Sequence, residues 1–178
     1  MTGLNPQKDQ ILQISCFITD SNLNLLDTNG FETTIHHPNS TLSTMSQWCI
    51  DTHTSTGLTK TVLSSTTTKE KASTDLLSYI QHYVPQPRTA ILAGNSVHAD
   101  KAFLAQEPFD KVINYLHYRI LDVSSFKEGI RRWGPREVLD KAPTKKLVHL
   151  AREDILESID ELRFYKDFLF GRSDSLQR

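Results

Sequence analysis

Hydrophobic and polar residues alternate near the start of the chain with the two-residue period of a β-strand. The alternation predicts a strand over residues 11–19 with one buried face. Two further short strands are predicted over residues 23–26 and 31–36, with Asn29 and Gly30 forming a hairpin turn before the second of them. The chain is therefore expected to open as an antiparallel meander.

From about residue 41 the apolar spacing changes to the intervals of amphipathic helices. Residues 41–63 are predicted to form short helices, and a longer helical stripe runs from Ala72 to Val84, where Pro85 ends it. Strands over 89–93 and 118–123 and helices over 99–106, 125–133 and 150–168 follow. Strands first, then helices alternating with strands, predict an α/β fold with a mixed sheet flanked by helices.

Length and charge limit the classes of protein that this chain can be. Its 178 residues, 38% of them hydrophobic, suffice for one domain, which we place at residues 1–172, with residues 173–178 as a flexible tail. The net charge of −1 argues against a protein that grips long nucleic acid by neutralising many phosphates, but allows a short oligonucleotide. No apolar run is long enough to cross a membrane.

Three residues have the types and spacing of a hydrolytic site. His149 and Asp154 stand five residues apart at the head of the last predicted helix. Five residues turn a helix by about 500°, so the two share a face only if His149 lies in the preceding loop. A general base can then stand beside a metal-binding carboxylate. Asp100, after a short strand and a polar turn, brings a second carboxylate to the sheet edge where α/β folds build sites.

Each of these residues also has a plainer interpretation when it is taken alone. Asp100 could be a charge at a helix start that interacts with the helix dipole. His149 could be a surface or capping histidine, and Asp154 a solvated charge on the polar margin of its helix. Their joint occurrence with other motifs favours the site.

Five segments, in this order and spacing, resemble a known family. They are Met1-Thr2-Gly3-Leu4, the stretch from Trp48 through His53 to Leu58, Gly94-Asn95-Ser96 with Asp100, the stretch from Tyr118 to Ser125, and His149 with Asp154. From Met1 to about Tyr165 the chain is similar to oligoribonuclease, a small 3′-to-5′ exoribonuclease of the DEDDh group. The segment Val97-His98-Ala99-Asp100 resembles the fungal branch of that family. The resemblance implies a ribonuclease H-like exonuclease fold and hydrolysis of very short RNA to mononucleotides.

One departure from the family lies at the beginning of the chain. In that family an Asp and a Glu with one residue between them (Asp-x-Glu) are the first metal ligands, and the Glu immediately precedes the Met-Thr-Gly-Leu segment. The resemblance therefore implies that the first, central strand of the sheet is absent from this chain. We expect poor stability and doubtful activity for the chain alone. A catalytically inactive nucleotide-binding or dimerisation subunit is the alternative.

The resemblance also implies roles for particular residues. The family uses two ions, Mg²⁺ or Mn²⁺, held by carboxylates, so Asp100 and Asp154 are the implied metal ligands and His149 the implied general base. Leu4 and Trp48 would flank the bases of the RNA by apolar contact and stacking. For these two, packing in a turn and in the core or an interface are the plainer interpretations.

A second group of residues resembles the cap that the family places on the 5′ phosphate of a dinucleotide. These residues are His53, Ser96, Arg119 and Ser124, for which the plainer interpretations are a turn histidine, a loop hydroxyl, a surface cation and a helix-start hydroxyl. Such a closed end would select the shortest oligomers. The residue that matches Tyr118 reaches the partner subunit's active site in this family, so the resemblance implies a homodimer. A tyrosine buried in a strand is the alternative interpretation of Tyr118, with equal weight.

The expected location is intracellular, in the mitochondrion, the cytoplasm or both. The chain has two cysteines, Cys16 and Cys49, which suggest neither a disulfide framework nor a zinc site. A reducing compartment is therefore expected.

Overall fold

The computed structural model describes residues 1–144 and 151–171 of the chain. Its strands are β1 (Gln13–Cys16), β2 (Phe31–Thr34), β3 (Leu92–Gly94) and β4 (Ile120–Asp122). Its helices are α1 (Asn39–Leu42), α2 (Gln47–Ser55), α3 (Leu58–Ser64), α4 (Lys69–Tyr83), α5 (Val97–Leu104), α6 (Asp110–Tyr115), α7 (Val123–Trp133), α8 (Arg136–Asp140) and α9 (Ala151–Phe170). His149, the predicted domain end at residue 172 and the predicted tail 173–178 lie outside the described residues.

The strands form two separate pairs. β1 pairs antiparallel with β2, with Ile14 opposite Thr33, and β3 pairs parallel with β4, with Gly94 opposite Asp122. Within the described residues no strand joins β1 to β3, so the sheet is divided there. Helix α9 contacts both β1 and β3 and so spans the division. Strands alternating with covering helices confirm the predicted α/β class.

The predicted opening meander is shorter than the hydrophobic alternation suggested. Residues 23–26 form only an isolated bridge between Thr19 and Leu25. The carboxylate of Asp20 accepts hydrogen bonds from the backbone N–H groups of Asn22 and Asn24, both at 2.8 Å. This side chain therefore uses backbone donors that a strand would need, as Asp does in many turns.

The predicted helices are present, with shifted ends. α4 begins after Thr68, whose hydroxyl accepts a hydrogen bond from the backbone N–H of Lys71. α7 begins at Val123, two residues earlier than predicted, because the carboxylate of Asp122 caps it by accepting from Ser124 N at 2.9 Å. An aspartate is among the best residues at this capping position.

The last helix is fixed against α7 by an apolar cluster. Leu162 and Tyr165 of α9 pack with Val123 and Ile130 of α7, and the Tyr165 side chain is fully buried. Burying an aromatic ring of this size stabilises the fold by roughly 1.5–3 kcal/mol. The packing sets the face of α9 that points to the ends of β3 and β4. In the part of the chain that the structure describes, no helix is long and apolar enough to span a membrane.

Candidate active site

The carboxyl ends of β3 and β4 lie side by side and bring two polar turns together. The backbone N–H of Ser96 donates to Asp122 Oδ1 at 2.9 Å and to Ser124 Oγ at 3.0 Å. Ser96 has φ of 52°, in the left-handed region. This conformation costs a residue other than glycine roughly 1–2 kcal/mol. The two hydrogen bonds hold Ser96 in it, and backbone strain of this kind is common at functional sites.

Two of the four predicted phosphate-cap residues are therefore neighbours. The hydroxyls of Ser96 and Ser124 lie 3.4 Å apart, with Ser96 exposed and Ser124 half-buried. Ser96 precedes α5 and Ser124 lies in the first turn of α7, so two helix starts point to one place. Asp122 Oδ1 accepts from the backbone N–H groups of both serines, so these helix starts would offer a phosphate their partial positive charge and the Ser96 hydroxyl rather than those two N–H groups.

The other two predicted cap residues contact other parts of the chain. Arg119 precedes β4, whereas Ser124 follows its carboxyl end, and the guanidinium of Arg119 lies 5.0 Å from the ring centre of Tyr118. His53 Nε2 lies 3.0 Å from the carbonyl oxygen of Met1. Because a carbonyl oxygen only accepts hydrogen bonds, Nε2 is the donor, and burial lowers the pKa of the His53 ring below its ordinary value.

Tyr118 is an exposed residue that precedes β4. Its side chain is 62% exposed and its ring stacks on that of His117 at a centroid distance of 4.6 Å. The alternative interpretation of a buried strand tyrosine is therefore wrong. The exposed ring is available to another molecule.

Leu4 and Trp48, the predicted base-contacting pair, are both strongly exposed, at 90% and 64%. Trp48 lies in the first turn of α2, and the His53 contact places Met1 against the same helix. The segment that carries Leu4 therefore starts beside the helix that carries Trp48. Exposed apolar side chains on adjacent elements can contact the faces of bases.

The two predicted metal ligands lie on elements that meet at Asn95. Asp100 is half-buried in the first turn of α5, and burial raises the pKa of its carboxyl group. Asp154 is exposed on α9, and its carbonyl oxygen accepts from Ser158 Oγ at 2.7 Å. Ser158 Oγ in turn accepts from Asn95 Nδ2 at 2.9 Å, which joins α9 to the turn between β3 and α5.

The described residues fit a divalent metal ion in ligand type but not in ligand number. Carboxylate oxygens such as those of Asp100 and Asp154 are the ligands that Mg²⁺ prefers. Over residues 1–144 and 151–171, however, no group of three His, Cys, Asp or Glu side chains is placed to hold a metal. These residues by themselves do not make a closed metal site, and the role of His149 stays a prediction.

Sequence reasoning missed the buried polar residues behind the two serines. Glu161 is only 2% exposed and bonds to Asn95, Tyr165 and Lys127. A signal was available, because Ser158, Glu161, Leu162 and Tyr165 recur at intervals of three and four residues on α9. A carboxylate on a buried helical stripe must be paired.

The fold is an α/β domain in which two polar turns meet at the carboxyl ends of parallel strands, where α/β folds commonly bind ligands. A family model described as an exonuclease matches residues 1–162. The chain is 47% identical to a mitochondrial oligoribonuclease of Bos taurus over 172 residues, which are 97% of this chain and 71% of that protein. It is 43% identical to the mitochondrial oligoribonuclease of Saccharomyces cerevisiae over 173 residues, 94% of this chain and 64% of that one.

A bacterial relative gives the same result. The chain is 45% identical to the oligoribonuclease of Haemophilus ducreyi over 167 residues, 94% of this chain and 88% of the relative. The chain belongs to the oligoribonucleases of the exonuclease family, and by family it is a 3′-to-5′ exoribonuclease. Proteins of this exonuclease family generally use divalent metal ions.

Proposed function

We propose that this chain carries the active site of an enzyme that cleaves very short RNA, down to dinucleotides, to mononucleotides. The observation that carries the proposal is the pair Ser96 and Ser124, which meet at two helix starts one turn from Asp100. A phosphate bound at this corner would hold one end of a short oligonucleotide beside a carboxylate. The names of the relatives in Bos taurus and Haemophilus ducreyi support an oligoribonucleotide as substrate.

The proposed chemistry is phosphodiester hydrolysis with Mg²⁺ or Mn²⁺. Asp100 and Asp154 are proposed as metal ligands and His149 as the general base that takes a proton from water. When bound, the ions would neutralise charge on the attacking and leaving oxygens. The oxygen ligands and the family's use of divalent ions support this assignment.

The remaining predicted residues are proposed to bind substrate. Ser96 and Ser124 would line the site of the 5′ phosphate, with the Ser96 hydroxyl as a donor, and Arg119 and His53 would approach the phosphate from neighbouring elements. A phosphate enclosed in this way leaves no path for a longer chain, so the shortest oligomers would be selected. Leu4 and Trp48 would contact the bases without reading their sequence.

We propose a homodimer and an intracellular location. The exposed ring of Tyr118, stacked on His117, supports a contact with a second copy, as the family resemblance implies. The relatives in Bos taurus and Saccharomyces cerevisiae are named as mitochondrial, which supports the mitochondrion, alone or together with the cytoplasm.

A further strand between β1 and β3 is proposed as a requirement for activity. Each described strand pairs with one other described strand, which leaves β1 and β3 with a second strand edge, and α9 contacts both strands. Exposed strand edges readily accept another strand. A strand carrying Asp-x-Glu would bring two more carboxylates between the elements that hold Asp100 and Asp154.

The proposed function is tested by product analysis with a 5′-phosphorylated dinucleotide, the same dinucleotide with a 5′ hydroxyl, and an RNA of about 20 nucleotides. Mononucleotides should form fastest from the phosphorylated dinucleotide. Equal rates on all three substrates would contradict the proposed cap.

An inactive binding or dimerisation subunit remains the second candidate function. The observation that favours it is the lack of a three-ligand metal group among residues 1–144 and 151–171. It predicts calorimetric binding of the phosphorylated dinucleotide without turnover, whether or not carboxylates are supplied on an added strand. Turnover that depends on those carboxylates would exclude it.

Replacement of Trp48 by alanine should weaken binding of the dinucleotide by roughly 5- to 150-fold, because one stacked base contributes about 1–3 kcal/mol. The ring is 64% exposed, so the melting temperature should change little. Trp133→Ala is the matched control, since Trp133 is 86% exposed and belongs to none of the proposed contacts. Calorimetry that showed the same affinity loss for both variants would remove Trp48 from the site.

A further inference from the structure

A buried carboxylate lies directly behind the phosphate-binding corner. Glu161 is 2% exposed on α9, and its Oε2 accepts a hydrogen bond from Asn95 Nδ2 at 3.1 Å. Its Oε1 accepts from the Tyr165 hydroxyl at 2.9 Å and lies 3.4 Å from Lys127 Nζ. Charges buried to this degree are tolerated when they are paired and hydrogen-bonded. Glu161 thus links α9 to α7 and to the turn that carries Ser96.

The hydrogen-bond chemistry of this carboxylate fixes the orientation of the Asn95 amide. An ionised carboxylate only accepts hydrogen bonds, so the NH₂ group of Asn95 must face Glu161. The same NH₂ group donates to Ser158 Oγ at 2.9 Å, which places both of its hydrogens on α9. Oδ1 of Asn95 is therefore left on the opposite side, where it faces Ser124.

The orientation of the Asn95 amide determines the hydrogen bonds of the two serines of the corner. Ser124 Oγ lies 3.4 Å from Asn95 Oδ1, to which it donates, and accepts from the backbone N–H of Ser96 at 3.0 Å. A hydroxyl has one hydrogen and two lone pairs, so these contacts set the direction of the Ser124 O–H. They also support Ser96 in its left-handed conformation.

We propose that Glu161 is a positioning residue for the phosphate corner, acting through Asn95 on Ser124 and Ser96. The proposal rests on the function proposed above, in which the corner holds the 5′ phosphate of the substrate. Glu161 does not touch the substrate. It determines which way the amide behind the corner points. The amide oxygen then holds the Ser124 hydroxyl, so that Ser124 Oγ accepts from the backbone N–H of Ser96 and keeps Ser96 in position for a phosphate.

Glu161→Gln tests the proposal in the full chain. The glutamine amide has nearly the same shape as the carboxylate. Its NH₂ group, however, is a donor and cannot accept the hydrogen bond that the NH₂ group of Asn95 donates to Glu161. We expect the preference for a 5′-phosphorylated dinucleotide over its 5′-hydroxyl form, measured by calorimetry as a ratio of dissociation constants, to fall roughly tenfold. Affinity for the 5′-hydroxyl form should change little.

Tyr165→Phe is the matched control because it removes a donor to the other oxygen of the same carboxylate. It should lower the melting temperature and leave the phosphate preference within about twofold of the parent. An unchanged preference in Glu161→Gln, or an equal loss in Tyr165→Phe, would overturn the positioning role. If circular dichroism shows that Glu161→Gln does not fold, Asn95→Asp breaks the same bond from the other side and must show the same loss.

Binding of the two dinucleotides to the unsubstituted chain distinguishes a failure of this proposal from a failure of the proposed function on which it rests. A parent chain that binds both dinucleotides equally would refute the phosphate corner itself and the role of Glu161 with it. A parent chain that prefers the phosphorylated form, with variants that keep this preference, would refute only the role of Glu161.

Discussion

Extension of the chain by a strand carrying Asp-x-Glu immediately before Met1 should raise hydrolysis of a 5′-phosphorylated dinucleotide by at least roughly 100-fold over the 178-residue chain. The strand would fit the division between β1 and β3 and add two carboxylates to Asp100 and Asp154. Four carboxylates can hold a pair of divalent ions, whereas the described residues contain no three-ligand group. Release of mononucleotides, followed by chromatography, measures the effect.

A second extension, with Ala-x-Ala in the same strand, distinguishes the effect of the added strand on stability from the effect of its carboxylates on the rate. It should pair with the same two strand edges and raise the melting temperature as much as the first extension does. It should not raise the rate. Equal activity in both extended proteins would mean that the added carboxylates are not ligands, and activity in neither would favour the inactive binding subunit.

Replacement of Asp100 by asparagine in the Asp-x-Glu protein should lower the dinucleotide rate by roughly 1,000-fold or more while stabilising the fold. The loss of rate follows from the loss of a charged metal ligand. The gain in stability follows from burial, which raises the pKa of the Asp100 carboxyl above its ordinary value of 3.8. A residue kept at a cost in stability is typical of a functional site.

The pH dependence of this stability difference has a definite sign. Because the folded state binds the Asp100 proton more tightly than the unfolded state does, the ionised carboxylate destabilises the fold progressively as pH rises from 3.8 through the raised pKa. The difference in melting temperature between Asp100→Asn and its parent, measured with a chelator, should therefore be small at low pH and constant above this window. A variant less stable than its parent at pH 7 would contradict the prediction.

Asp110 offers the matched control for Asp100. It also lies in the first turn of a helix, α6, but outside the proposed site. Asp110→Asn should lose about 0.3–1 kcal/mol of favourable interaction with the helix start and keep the full rate. If the two variants had equal rates, Asp100 would not be a ligand.

The sequence predicted the helices and the class of fold better than the strands. The segment that forms α4 contains both the helical spacing of apolar residues and the proline that ends the helix. The helix could therefore be predicted without knowledge of distant contacts. The segment at residues 23–26 has strand-like composition, but the Asp20 side chain satisfies its neighbouring N–H groups locally. That competition depends on side-chain geometry, which hydrophobic periodicity does not contain.

The structure brings together two of the residues predicted for the site, whose roles stay predictions. Ser96 and Ser124 are 28 residues apart in the chain and were placed together by resemblance, and the structure brings their hydroxyls to 3.4 Å. Glu161 was missed because its partners Asn95 and Lys127 lie 66 and 34 residues away. A charge on a buried helical stripe could have been noticed, but its partners are set by how α9 packs on α7.

The most direct test of the account is the position of a bound cation. Crystals of the Asp-x-Glu protein soaked in Mn²⁺ should show an anomalous peak within coordination distance of carboxylate oxygens from both Asp100 and Asp154. Mn²⁺ bound elsewhere, or by only one of these two residues, would contradict the proposed metal site and the hydrolytic mechanism built on it.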